Sequence, residues 1–441
     1  MGVGSGVWLM LRRVRFRWLR RLVLFVTALV LVAGGVFYVQ VVRPMRDPHP
    51  AVRPVSGVIA VMNATIYVSP DVPPLVGATL VVRDGKIAAV GRDAAVPPDA
   101  QRLPCDRCVV TAGFWNSHIH LTEPKWSGAD SESAAVLDAQ LADMLTSRGF
   151  TTVVDLGSDP RSTLSLRRRI AAGELHGPAI LTAERSLYPP NGIPYYLGSL
   201  PWLVRKLMPQ PSTAEEAAAI EEQNIERGAD VLKLFTGSYI ARGKVLPMPE
   251  LVARAAADVA HKHGQLVFSH ASNVEGAKVA IHGGVDVLAH ALDDTEGVDA
   301  ELLRTMVERH MAMIPTLKMF GTTVTTKPEF LDPIIAEVRQ FRELGGQLLF
   351  GTDVGYMTDY TTDDEFRALA RAGLDAPSIL RTLTTAPAER FGVQDQKGSL
   401  TAGRAGDFVV LDGDPAGDVT AFARVRATVA GGRVIFQAAA R

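Results

Sequence analysis

From Thr111 to Phe391 short apolar runs alternate with helical stretches, and that alternation leaves few folds open. The runs are, in order, "VVTAGFWNSHIH", "TTVVDLG", "PAILTAE", "DVLKLFTG", "QLVFSHA", "VDVLAHA", "AMIPTLK" and "QLLFGTD". Between them, stretches such as "AAVLDAQLADMLTSRG", "TAEEAAAIEEQNIERG", "PELVARAAADVAHKHG" and "IAEVRQFRELGG" carry helical patterns and close on a glycine. Strands that alternate with helices pair in parallel, because each helix crosses back over the sheet before the next strand begins. Eight such units close into an α/β fold, a (β/α)8 TIM barrel over residues 111–391.

The flanks are made of strands and turns alone. Residues 58–110 hold "GVIAVMNATIYV", "GATLVVRDGKIAAVG" and "CDRCVVTAG", with Asp84-Gly85 as a hairpin turn, and residues 392–441 hold "GDFVVLDGDP" and "ARVRATVAGGRVIF". Two β-rich pieces on either side of a barrel are most economically one small β-sandwich built from both ends. At 441 residues, with 47% hydrophobic residues, the chain has room for both bodies. A net charge of only −1 gives no field that would recommend nucleic acid as a partner, so a small-molecule substrate is expected.

Residues 1–21 form a basic segment with Arg12, Arg13, Arg15, Arg17, Arg20 and Arg21. Leu22 to Val42 is uncharged and apolar over the length that crosses a hydrocarbon layer as a helix, and residues 43–57 are a Pro-containing linker. By the positive-inside rule the arginines stay in the cytoplasm, which makes the protein membrane-anchored through this N-terminal transmembrane helix with its catalytic domain outside. A cleavable signal, with Ala33 and Gly35 as small residues near a cleavage site, is the competing reading and would give a secreted or periplasmic protein. The only cysteines, Cys105 and Cys108, suit either a small local disulfide or free thiols.

In a barrel of this kind the chemistry sits at the carboxyl ends of the strands. There the sequence places His118 and His120, Lys233, His270, His290 and Asp353. On an extended strand His118 and His120 share a face while Ile119 points away, which suits one metal ion. Each residue alone has a plainer explanation, as a satisfied core histidine, an ion-pair partner or a helix cap. Ligand-type residues ending five different strands of one barrel are harder to explain that way. His49, His176, His261, His263, His282 and His310 lie in loops or helical stretches and are expected to be structural.

At these residues the chain resembles the metal-dependent amidohydrolase superfamily, in its imidazolonepropionase-like and prolidase-like branch. The likeness runs from about Val58 to the C-terminus through "DGKIAAVG", "TAGFWNSHIHL", "ADVLKLFTG", "LVFSHA", "DVLAHA", "LLFGTD" and "TTAPAERFG". It implies an amidohydrolase with two divalent metal ions, usually zinc. His118, His120 and Asp353 would hold one ion, His270 and His290 the other, and Lys233, carboxylated to a carbamate, would bridge them. The carbamate supplies the negative charge that a lysine ammonium cannot. Mononuclear deaminases of the superfamily usually lack this lysine and place a Glu shortly after the strand-five histidine, a pattern that Glu275, five residues on, fits poorly.

The resemblance further implies cleavage of an amide C–N bond by a metal-bridging hydroxide, with Asp353 as the catalytic proton shuttle. A dipeptide, an N-acyl amino acid or a cyclic amide is the expected substrate. Tyr195, Tyr196, Tyr239, Arg242, Lys318 and Tyr356 are the candidates for holding it, some of them through a carboxylate. A lactonase or phosphotriesterase on the same centre, and a non-catalytic membrane-tethered binding protein, are the other readings. A homo-oligomer is compatible with all of them.

Overall fold

The structure is a computed structural model that describes residues 4–37, 50–324 and 328–439. One helix, Gly4–Phe37, precedes the folded body. Among the described residues no helix is long and apolar enough to cross a membrane. This corrects the expected span. The helix carries its arginines between Arg12 and Arg21, its uncharged part from Leu22 to Phe37 is shorter than the roughly 20 residues a hydrocarbon core requires, and the rest of the expected segment, 38–42, lies outside the described residues.

The β-rich ends meet in a single eight-stranded sheet, ordered Arg433–Gln437, Val425–Ala430, Phe408–Leu411, Val109–Ala112, Val58–Ile66, Leu75–Arg83 and Lys86–Gly91, with Gln101–Arg102 beside Val58–Ile66. Val109–Ala112 joins the two ends, because it pairs with the N-terminal strand at Thr65 and Ile66 on one edge and with all of Phe408–Leu411 on the other. Alternation along "FVVL" then serves two cores at once. Phe408 and Val410 pack inside the sheet with Ile66 and Val110, while Val409 and Leu411 join Val109 in the core against the barrel. The Asp84-Gly85 turn has φ of 49° and 78°, the left-handed pair that a two-residue hairpin between Arg83 and Lys86 requires. Cys105 and Cys108 are joined as a disulfide across a Cα–Cα distance of 5.2 Å.

The first apolar run of the barrel is two strands. Val109–Ala112 stays in the sheet, and Phe114–Ile119 enters the barrel. Gly113 sits at the join, where a Cβ would lie 2.3 Å from the Thr151 hydroxyl, so no larger residue fits this crossing. Phe114–Ile119, Phe150–Asp155 and Ala179–Thr182 form one parallel arc; Val231–Phe235, Leu266–His270, Val287–Leu288, Ala312–Met313 and Gln347–Leu348 form the other. Asp230 N donates to Thr182 O at 2.7 Å at one seam, and Ser117 N donates to Phe350 O at 2.8 Å at the other, so the two arcs close into a ring.

Period-two alternation fixes which side chains face the axis. Val231, Phe268, Val287, Ala312 and Leu349 fill the interior, while Leu232, Leu234 and Val267 face the surrounding helices. Lys233, two residues beyond Val231, therefore also points inward, as does His270 two beyond Phe268. The helices begin and end as their sequences indicate. Thr213 caps Ala214–Arg227 by accepting from Glu216 N, and Gly228 closes it at φ 114°.

Candidate metal centre

His118, at the end of the first barrel strand, is fully buried, and its Nδ1–H donates to the carbonyl of Ala289 at 2.8 Å. His120 donates from Nδ1 to the carbonyl of Gly157 at 2.9 Å. A carbonyl oxygen can only accept, so in each neutral ring the proton sits on Nδ1 and Nε2 presents a lone pair. Those two Nε2 atoms lie 3.2 Å apart, and Asp353 Oδ1 lies 3.2 Å from one and 3.1 Å from the other. Three acceptors are thus turned on one point.

His290 is oriented by the same logic. The Thr316 hydroxyl donates to Pro315 O at 2.8 Å and therefore accepts from His290 Nδ1–H, also at 2.8 Å, which leaves His290 Nε2 free to face the centre. His118, His290 and Asp353 offer ligand atoms within 4.8 Å of one another. His270 completes the ring of imidazoles, with its centroid 4.8 Å from that of His290 and its face stacked on Phe235 at 5.0 Å. Its Nε2 is buried with no hydrogen-bond partner, as is Asp353 Oδ1 apart from the histidine nitrogens.

The electrostatics point the same way. Burial holds His118 and His290 well below the usual imidazole range and takes His270 down to about 3, with the Lys233 ammonium adding to each shift. At His120 burial pulls down as well, but the Asp353 carboxylate against it wins and raises it. Lys233, 1% exposed, is brought down to about 7 by burial, against the opposing pull of Asp353. Buried imidazole nitrogens converging on one carboxylate are what a divalent cation satisfies. Imidazole nitrogen with carboxylate oxygen is a donor set suited to zinc.

A scan of family models matches residues 109–435 to the amidohydrolase family. The chain belongs to that family. No curated protein sequence matches it. Among solved structures, a candidate prolidase from Bifidobacterium longum superimposes with a TM-score of 0.73 at 26% identity, covering 87% of this chain and 96% of that one. A Xaa-Pro dipeptidase holding methionine in its active site gives 0.72 at 21%, covering 87% and 100%, and a molinate hydrolase gives 0.71 at 19%, covering 86% and 94%. The fold is accordingly TIM-barrel-like, the family generally uses a divalent metal, and this amidohydrolase is a hydrolase acting on C–N bonds.

The six candidates for substrate contact fare differently. Tyr195, Tyr196 and Tyr356 form a chain of edge-to-face contacts, with centroids 5.7 Å and 5.6 Å apart. Tyr239 donates its hydroxyl to Asp293 Oδ2 at 3.0 Å. Arg242 stands exposed at the tip of the hairpin formed by Gly237–Ala241 and Lys244–Pro247. Lys318 is a correction. Its ammonium is buried and donates to the carbonyl oxygens of Asp359 and Thr361 at 3.2 and 2.7 Å, to Thr361 Oγ1 at 2.8 Å, and to the Asp359 carboxylate at 2.9 Å. It pins the loop after the eighth strand and has no donor left for a ligand.

Sequence reasoning missed Thr316 and Asp293. The doublet Asp293-Asp294, three residues after His290, was a visible signal. Thr316, at φ 48°, had none beyond its place after the seventh strand.

Proposed function

We propose that this amidohydrolase holds two divalent ions, zinc by donor type, and hydrolyses the amide bond of a dipeptide, an N-acyl amino acid or a cyclic amide. The observation that carries this is the convergence of His118 Nε2, His120 Nε2 and Asp353 Oδ1 at 3.1 to 3.2 Å. His118, His120 and Asp353 would hold one ion, His270 and His290 the other, and Lys233 would bridge the pair. Bound ions polarise the scissile carbonyl and acidify a water in the site.

Lys233 is suited to the bridge only once modified. Its neutral amine would attack carbon dioxide, forming an N–C bond and releasing one proton to solvent; the product has one negative charge and two oxygens. Asp353 accepts the proton of the attacking water and delivers it to the leaving nitrogen as the C–N bond breaks. The buried histidines hold their orientation through Ala289 O, Gly157 O and Thr316, so the donors do not reorganise during the reaction. The Xaa-Pro dipeptidase and the candidate prolidase among the structural relatives favour a dipeptide or a closely similar amide.

The test couples metal analysis of the purified chain to a hydrolysis screen over dipeptides, N-acyl amino acids, cyclic amides, lactones and phosphotriesters. Turnover confined to lactones or phosphotriesters, or a protein that binds no divalent ion, would overturn the reading. The body's placement outside the cytoplasm belongs to the same proposal. It is supported by the Cys105–Cys108 disulfide. Protease accessibility of the body in intact cells tests it, and full protection would sink it.

A further inference from the structure

Tyr196 lies against Tyr356 with ring centroids 5.6 Å apart, and the Tyr356 backbone N–H donates to Asp353 O at 3.2 Å, which places the pair beside the centre. Burial raises its hydroxyl well above the ordinary range, and Tyr188, Tyr356, Asp353 and Asp293 raise it further. Tyr195 and Tyr356 flank it edge to face, and Tyr239 approaches from the strand-four hairpin with its hydroxyl on Asp293. The mouth is therefore built from aromatic rings and a half-buried carboxylate, with Asp294 exposed beside it. Lys318 is taken up by residues 359–361, Lys125 by Glu123 and Tyr360, and Arg242 is exposed at its hairpin tip.

We infer that this mouth recognises a positive charge on the substrate, an ammonium or guanidinium carried beyond the scissile amide and seated against Asp293 among the rings of Tyr195, Tyr196 and Tyr356. An aromatic face attracts a cation through its quadrupole, and a partly desolvated carboxylate adds a charge-assisted hydrogen bond. A side-chain carboxylate at the same place would meet like charge. Although burial raises Asp293 to about 6, it is largely ionised at neutral pH. Of the cations expected to hold a substrate carboxylate, Lys318 is committed to residues 359–361 instead.

The inference takes its scissile amide from the proposed function but draws the charge preference from the mouth alone. The test uses the full metal-loaded chain and matched dipeptides with lysine, norleucine or glutamate on either side of the scissile bond. On the side that faces the mouth, lysine should exceed norleucine by about tenfold or more in kcat/KM, mainly through KM, with glutamate the poorest. The lysine advantage should shrink as ionic strength rises, and Asp293→Asn should bring the ratio close to one. Should that variant fail to fold, the ionic-strength series on the unaltered chain decides.

A second readout needs no turnover: calorimetric binding of n-pentylammonium against 1-pentanol, with and without the substitution. Cleavage with no preference for lysine on either side overturns this inference and leaves the amidase reading standing. Absence of any cleavage, with pentylammonium binding that depends on Asp293, does the reverse. A lysine preference that survives Asp293→Asn, or pentylammonium binding no tighter than pentanol, removes Asp293 from the role.

Discussion

His290 donates its Nδ1 proton to the Thr316 hydroxyl at 2.8 Å, and that hydroxyl is already committed as a donor to Pro315 O. The pair fixes the tautomer, so Nε2 can only be a lone pair. Outer partners of this kind typically change metal affinity by about 10- to 100-fold when removed. Thr316→Val keeps the branched shape but loses the acceptor, and should lower metal affinity in that range; Thr316→Ser should restore it. Competition against a chromogenic chelator measures both. Equal affinity in the valine variant would show that the hydroxyl does not orient the ring.

In the proposed mechanism Asp353 carries the proton; its Oδ1 faces both His118 and His120, and its backbone N–H is tied to His118 O at 2.9 Å. Asp353→Asn preserves size and should preserve the fold and most of the bound metal. It cannot accept a proton, so kcat should fall by about a thousandfold or more with a much smaller change in KM. Turnover near the unaltered level would remove Asp353 from the proton path.

Lys233 makes a different kind of prediction, one with a pH dependence. Burial brings its amine down to about 7, so the neutral form that can attack carbon dioxide grows as pH rises through that value. Metal uptake by chain prepared without bicarbonate should be weak, and added bicarbonate should restore it increasingly from below to above pH 7. Lys233→Arg should be indifferent to bicarbonate at every pH. Uptake that ignores bicarbonate in the unaltered chain would argue against a carbamate.

The ligand-type residues of the centre were visible in the sequence because each interrupts or ends an apolar run, where a buried polar side chain needs a reason. Inward-facing positions follow from period two, so Lys233 and His270 could be assigned to the axis by counting from Val231 and Phe268. What lay beyond reach was set by chain course rather than by local pattern. Lys318 follows a strand just as the candidate ligands do, yet the loop at 359–361 folds over it. The run through Gly113 reads as one strand in the sequence, yet it is two, and its first part, Val109–Ala112, pairs on both edges to join the sheet's two ends.

The pinning role of Lys318 leads to a prediction opposite to that for a substrate contact. Lys318→Met should leave the carbonyls of Asp359 and Thr361 without their donor, which costs about 1 to 3 kcal/mol for groups removed from water. Thermal unfolding should report that loss, and limited proteolysis should cut first near residues 359–361. The preference among lysine, norleucine and glutamate substrates should be unchanged. A selective loss of anionic substrates would instead make Lys318 a ligand-binding residue.

Glu337 is buried beside the strand-six loop, and both its oxygens lie 3.2 Å from Leu292 N. Burial raises its carboxyl from 4.5 to about 8; the Leu292 hydrogen bond opposes the shift and Asp293 adds to it. The native state therefore keeps a proton that the unfolded chain releases near pH 4.5. Between those values the unfolded state binds fewer protons, so stability falls as pH rises, by up to about 1.4 kcal/mol per pH unit from this group. Below the window the contribution is constant, and above about pH 8 the loss is complete. Glu337→Gln retains an acceptor for Leu292 N but has no proton to lose. Its stability relative to the unaltered chain should improve from pH 5 to pH 8, read by urea unfolding of both proteins in excess chelator so that metal loss does not contribute. A stability difference that stays constant across that range would mean that the Glu337 carboxyl is not held protonated in the folded state.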